Sequence, residues 1–455
     1  MRTVAKRFLL WFVPFLCLWI PFDHKLDKPL RHVAKALIPP SPLPPDYETA
    51  LYYFPSDFFG VALFFIALYA YQKQAREVLF SHPFSRPLWM FLGLLLLSVF
   101  LSPLCHYLVP YVRALHFVPI FLACAALAAV IPLSDRTALA SRSFIALTLS
   151  GVVQAAWAIA QYVLQRPLGL RQLNEHPLLT AELSRTGYLS LLEWGNPHVV
   201  TTIFRPQGSF VHPNICGGFL AATLLATSWW FLHASRGRRG IGAALILQGV
   251  GLAATFSRSA ILGAALAGTV WLALYYFSPA YREQRRRLRQ CAALAILSIG
   301  ATLVLLSPLT AIRVRATNEP REIPGRPLTT RTALQIISER PLSGTGFSQF
   351  LAMSAPLLEG KSKYFKEPVH NIYLLIAAEA GITALAAFVW FLARAIPLRR
   401  LRDTEAITPF AIALLLLVIG MFDLYPLATH AGAWLLFLPL ALLARHTPAH
   451  HRVPA

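Results

Sequence analysis

Long apolar runs recur along the whole chain, and they leave few folds open. They sit at roughly 7–22, 57–72, 88–109, 114–133, 143–164, 209–233, 240–256, 259–277, 291–307, 371–393, 407–424 and 428–444. A run of about 20 apolar residues crosses a bilayer as a helix, because in lipid a backbone must satisfy its own hydrogen bonds. The runs are continuous and do not alternate with polar residues, which argues against a transmembrane β-barrel. Only 13% of the residues are charged, against about 25% in soluble domains. We therefore expect an all-α fold, a polytopic membrane bundle of about 12 transmembrane helices. "MRTVAKR" leads into "FLLWFVPFLCLWIPF" with no small-x-small cleavage site, and reads as a retained first span.

The 41 Lys and Arg outnumber the 20 Asp and Glu, for a net charge of +21. In a soluble chain this excess would suggest nucleic acid; in a membrane chain it orients the spans. With the N-terminus inside, the short basic loops 73–87, 134–142, 234–239, 278–290 and 394–406 all fall on one side. This holds only if "LQGVGLAATFSRSAILGAALAGTVWLALYYF" (247–277) is parts of two spans. Their connection is then the turn "FSRSA", which puts Arg258 at the outer end of the pair. Both termini are then cytoplasmic, and a large periplasmic loop, 308–370, precedes the tenth span. The five cysteines lie in or beside apolar runs without metal-ligand spacing, so no disulfide framework is expected.

Three long segments face outward in this scheme. The first, 23–56, begins "DHKLDKPLRHVAKAL", whose Leu26, Leu30, Val33 and Leu37 suit a helix lying on the membrane surface, and includes Asp46 and Glu48. The second, 165–208, leads into "RPQGSFVHPNICGGFL", with Arg205, His212 and Asn214 beside an apolar run; His212 reads first as a helix cap. The third, 308–370, carries nine Lys or Arg, Arg313 and Arg331 among them, and five Glu. In it "TTRTALQIISER" reads as a short helix and "PLSGTGFSQF" as a turn, whose Gly-x-Gly is weak evidence for a phosphate loop. It closes on "EPVHNIYLL", with His370 and Asn371 at the mouth of a span. Such an excess of cations suits an anionic head group. Arg205, Arg258 and His370 come from distant parts of the chain but reach one membrane level. Two guanidiniums suit a diphosphate, and a neutral imidazole can take a proton from an attacking hydroxyl.

At "RPQGSFVHPNICGGFLA", "TFSRSAILG", "RTALQIISERPLSGTGFSQF" and "HNIYLLIAAEAGITAL", over about 205–390, the chain resembles the O-antigen ligase and polymerase superfamily of bacterial membrane glycosyltransferases. The resemblance implies a bundle of about a dozen helices in the bacterial inner membrane. Residues 1–204 would form N-terminal spans with two periplasmic loops, 205–396 the ligase-like core, and 397–455 a C-terminal hairpin and cytoplasmic tail. It also implies an undecaprenyl-diphosphate-linked glycan donor, lipid A–core or another hydroxyl as acceptor, no nucleic acid, no cofactor and no metal. Arg205 and Arg258 would bind the diphosphate and His370 would activate the acceptor. Arg331 and Arg313 would guide glycan or phosphate, and Asn214 and Asn371 join the substrate-binding set. Ligase, polymerase and protein O-glycosylation all fit such a site. Two other classes stay open: a metal-dependent glycosyltransferase using Asp46 and Glu48, and a lipid-linked glycan transporter. For transport the intramembrane acids are Glu379 and Asp423, each of which reads first as paired to a neighbouring helix or basic residue.

Overall fold

The computed structural model describes residues 1–23, 54–173, 175, 188–193, 196–307, 325–354 and 368–444. In chain order its main elements are α1 Arg2–Trp19, α2 Pro55–Tyr71, α3 Ser85–Phe100, α4 Leu108–Leu115, α5 Phe117–Ala129, α6 Leu133–Leu164, β1 Tyr188–Glu193, β2 Asn196–Phe204, α7 Pro213–His233, α8 Arg238–Ala254, α9 Arg258–Phe277, α10 Arg285–Leu305, α11 Gly325–Glu339, α12 Phe350–Ser354, α13 Ile372–Ala395, α14 Thr404–Ile419, α15 Tyr425–Ala428 and α16 His430–Leu443. Every apolar run of the sequence is helical over most of its length. Among the described residues seven helical stretches are long and apolar enough to cross a membrane, and α2, α3, α14 and α16 are shorter apolar helices. The protein is a multi-pass helical membrane protein. All five cysteines are free thiols.

The all-α expectation needs one correction. β1 and β2 pair antiparallel, with Tyr188 opposite Phe204 and Leu192 opposite Val200. The strand "HVVTTIF" is rich in β-branched residues, which favour a pleated backbone. Its few residues carry no long period, so the composition of the outer segment concealed it.

Side-chain contacts sort the helix ends into two levels. At one, Tyr71 Oη donates to Asp135 Oδ2 (2.6 Å), Thr137 Oγ1 to Glu405 Oε2 (2.7 Å), and Tyr281 Oη meets His233 Nε2 (2.5 Å). These ends carry the short basic loops; we call this level the basic end. At the other, Ser209 Oγ donates to Pro21 O (2.7 Å), Ser56 N to Asp23 Oδ1 (3.2 Å), and Asn214 and Asn371 reach the 420–424 turn. The chain turns between α8 and α9 at this second level, with Ser257 as N-cap of α9, so Arg258 begins a helix and does not interrupt one.

A buried clasp joins distant helices at the second level. The His430 ring lies between two carboxylates, Nδ1 to Asp23 Oδ2 at 2.9 Å and Nε2 to Asp57 Oδ1 at 2.8 Å. An imidazole facing a carboxylate at each nitrogen donates from both, which is its charged form. Asp57 Oδ2 also meets His116 Nδ1 at 3.0 Å, and Phe54 stacks on His430 with ring centroids 4.1 Å apart. Trp19 Nε1, Ser56 Oγ and Trp434 Nε1 complete the network. Buried charges persist only when paired and hydrogen-bonded in this way.

The charge asymmetry predicts that the basic end faces the cytoplasm. In a cysteine-free background, a cysteine at Val211, which is 54% exposed at the second level, should react with a membrane-impermeant maleimide in intact cells. A cysteine at the exposed Ser235 should react only after permeabilisation. The reverse pattern would invert the orientation.

Candidate active site

Two glutamines of α6 place the segment that carries Arg205. Gln154 and Gln161 are buried and seven residues apart, so they share one face of the helix. Gln161 Oε1 accepts from the amides of Gln207 (3.0 Å) and Gly208 (2.8 Å), and its Nε2 donates to Gly208 O (3.0 Å). Gln154 Oε1 accepts from the Ser209 amide at 3.0 Å. Glu175 braces Gln161 from outside, accepting from its Nε2 at 2.7 Å and from the amides of Leu168 and Leu170. Burial raises the Glu175 pKa, but these hydrogen bonds outweigh it and leave the carboxyl below its ordinary range.

So held, Arg205 is buried at 4% exposure. Its Nε and Nη2 donate to Thr255 O (3.2 and 3.0 Å), and Nη2 also donates to Asn214 Oδ1 (3.0 Å). Thr255 lies three residues before Arg258, so Arg205 grips the turn that presents Arg258. Phe256, between them, has φ +52°, a left-handed turn geometry. Asn214 Nδ2 donates to Asp423 Oδ2 at 2.8 Å, and Asp423 Oδ1 accepts from the Leu424 amide at 2.8 Å. Asp423 therefore pairs with a neighbouring helix, as the sequence suggested. His212 is the cap that the sequence suggested too: its Nδ1 accepts from the Asn214 amide at 3.1 Å.

Adjacent glycines let α7 touch two neighbours. A Cβ on Gly217 would stand 2.9 Å from Ser257 Cβ, and one on Gly218 would collide with the Tyr425 hydroxyl. The first glycine admits the turn before α9, and the second admits the start of α15.

On the far side of the 420–424 turn stand His370 and Asn371. Asn371 caps α13, its Oδ1 accepting from Tyr373 N (2.9 Å) and Leu374 N (3.0 Å), while Nδ2 donates to Met421 O (3.1 Å). The Ile372 amide donates to Gly420 O at 2.8 Å. His370, half-buried, is thus carried beside the turn that also holds Asp423 and Asn214. Arg258 is exposed, and among its electrostatic neighbours is Arg326, also exposed, near the start of α11. Arg331 is exposed too, but lies about 140° further round α11 at ~100° per residue. Arg313, Asp46, Glu48 and the surface helix expected after residue 23 lie outside the described residues.

The Gly-x-Gly turn is a packing device. Thr345 N donates to Ala378 O (2.9 Å), Gly346 N to Glu379 O (2.8 Å) and Phe347 N to Ser98 Oγ (3.0 Å). The Glu379 carboxylate accepts from Ser348 N (2.8 Å) and Phe350 N (3.1 Å). Its partner is therefore this loop's backbone. These amides face protein acceptors, so they do not form an anion cradle. The loop fits because α13 breaks at Gly381 (φ +83°), where any side chain would strike the Leu342 carbonyl.

Among the described residues, Asp57, His116 and His430 form the group with metal-ligand character, their ligating atoms within 4.8 Å of one another. They are also the partners of the clasp. Sequence reading missed this network and the two glutamines, and did not set Arg326 apart from the eight other cations of its segment. The Gln154/Gln161 spacing was a usable signal, since two amides at one helix face in an apolar run need buried partners.

Asn214→Ala removes the link between a buried cation and a buried anion. Leaving such a group without its hydrogen bond costs about 1–3 kcal/mol. Denaturation of the purified variant should show a loss in that range, and Asn214→Asp, which sets a carboxylate against Asp423, should lose more. An unchanged midpoint for both would remove Asn214 from this role.

A search among curated proteins finds no match. The family comparison begins beyond Arg205 and takes in Arg258, Arg326, Glu379 and His370: residues 243–389 match the family described as O-Antigen ligase.

Proposed function

We propose that the protein transfers a glycan from undecaprenyl diphosphate to an acceptor hydroxyl at the periplasmic face, as an O-antigen ligase acting on lipid A–core. The observation that carries this reading is the pair of exposed cations, Arg258 and Arg326, within the family match and at the end of the bundle that holds His370. Partial burial and the like charge of Arg326 both disfavour the charge on Arg258. A diphosphate relieves that repulsion and accepts both guanidiniums.

In this scheme the acceptor oxygen forms the new glycosidic bond as the bond to the lipid diphosphate breaks. His370 takes the hydroxyl proton. Arg258 and Arg326 stabilise the charge that develops on the departing diphosphate, which stays attached to its lipid. Arg205 has the supporting role its bonds suggest: it fixes the carbonyl of Thr255 and so the position of Arg258. Asn214 and Asn371 act likewise as positioning residues. A polymerase that joins lipid-linked repeats, or a protein O-glycosylating enzyme, would use the same groups.

The lipopolysaccharide of a deletion strain separates these readings. Lipid-linked polymer accumulating unattached supports the ligase, and core with a single repeat supports the polymerase. Normal banding argues for another glycan or a protein acceptor. For the purified enzyme with a synthetic lipid-diphosphate donor, Arg258→Ala should lower turnover by about 10²–10³-fold, the usual effect of removing one preorganised donor. Arg258→Lys should recover little, since a point charge lacks the planar fork. His370→Gln should lose about 10²–10⁴-fold, while His212→Gln, a change at a cap, should lose far less. Wild-type turnover by His370→Gln would move the base elsewhere.

A further inference from the structure

At the basic end, opposite the site above, lies a cavity of about 280 Å³ between the starts of α6 and α14 and the ends of α7 and α16. Two arginines, Arg136 and Arg400, stand in its wall. Arg136 is 2% exposed. Its Nη1 donates to Ala444 O at 2.7 Å, but its Nε and Nη2 have no acceptor among the described residues. Arg400 Nη1 donates to Leu443 O (2.9 Å) and Ala444 O (3.0 Å), so both cations meet the negative end of α16. They are also close enough to repel each other.

Counter-charge for this pair is scarce. The single carboxylate in salt-bridge contact with either arginine, among the described residues, is Asp403, 3.5 Å from Arg400 Nε and 59% exposed. Glu405, at the rim of the cavity, accepts instead from Thr137 Oγ1. His233 offers no negative charge: its Nδ1 donates to Trp229 O at 2.7 Å, and its Nε2 meets Tyr281 Oη. A guanidinium buried with unmet N–H groups calls for an acceptor, and one beside a second guanidinium calls for an anionic one.

We propose that this cavity is a second site, distinct from the glycan site, that binds a phosphate-bearing anion on Arg136 and Arg400. The lining is mixed: Phe144, Trp229 and Leu442 give an apolar wall beside the cations. The helix ends place it at head-group level. A phosphodiester head group with an acyl chain fits both walls, and a free phosphate meets the same arginines. Glu405 opposes the anion from the rim and sets its affinity.

The full-length protein, purified in detergent, tests this by thermal unfolding and by native mass spectrometry of retained lipid. The probes are phosphatidylglycerol, phosphatidylcholine and inorganic phosphate. Phosphatidylglycerol should be retained and stabilise, and phosphatidylcholine should not. Stabilisation by inorganic phosphate without phosphatidylglycerol assigns the site to a soluble phosphate and supports the same chemistry. Arg400→Gln should weaken binding by at least about tenfold, the loss of one charge-assisted hydrogen bond. Glu405→Gln should tighten it, a gain that a merely misfolded variant would not give. Arg136→Gln should match Arg400→Gln if it folds. Equal effects of the two lipids, no effect of any probe, or unchanged binding in Arg400→Gln overturns the proposal.

Discussion

The Asn214 amide stands between a buried cation and a buried anion, and the site end of the bundle is arranged around it. Arg205 reaches it from the segment after β2, and Asp423 reaches it from the turn between α14 and α15. Without such a bridge neither charge would be stable in an apolar interior. With it, the 205–214 segment and Asp423, which lies 209 residues beyond Asn214, share one hydrogen-bonded unit. Asn371 repeats the device from the other side of the same turn by holding Met421 O. His370 is placed by that second amide and Arg258 by the carbonyl that Arg205 grips.

This arrangement divides the polar groups into two kinds. The inner ones, Gln154, Gln161, Arg205 and Asp423, are buried, with Asn214 half-buried between the last two, and all are bonded to protein. The outer cations, Arg258 and Arg326, are exposed. In the function proposed above, the inner layer fixes the geometry of the outer one, which is how preorganised sites avoid reorganisation when charge develops. Gly217 and Gly218 make the division possible, because α7 approaches the α9 turn and α15 closely only where it lacks side chains.

Much of this was legible in the sequence. The apolar runs located the helices, and the basic loops showed that 247–277 had to contain a turn. Arg258 in "FSRSA" therefore read as part of an outer turn, and the structure makes it the first residue of α9. The cap role of His212 followed from its place before Pro213. What the sequence concealed were pairings across long separations. Nothing local to Asp57 or His430 announces that they meet 373 residues apart. The β1–β2 hairpin was hidden because short strands in a polar segment carry no strong period. Arg326 looked equivalent to its neighbours in a basic loop until α11 gave it a side. The Gly-x-Gly turn, ambiguous in one dimension, is explained by the break at Gly381 that receives it.

The clasp around His430 also has a temporal meaning. Asp23 and Asp57 are synthesised well before His430, with 407 and 373 residues respectively between them. Until α16 is inserted, two carboxylates at the edge of the first helical pair lack the imidazole that lies between them. The clasp is thus closed only when α16 arrives. A nascent chain stalled before that helix leaves Asp57 with His116 alone as its cationic partner and Asp23 with the neutral donors Trp19 and Ser56, so the clasp carries excess negative charge until His430 joins it.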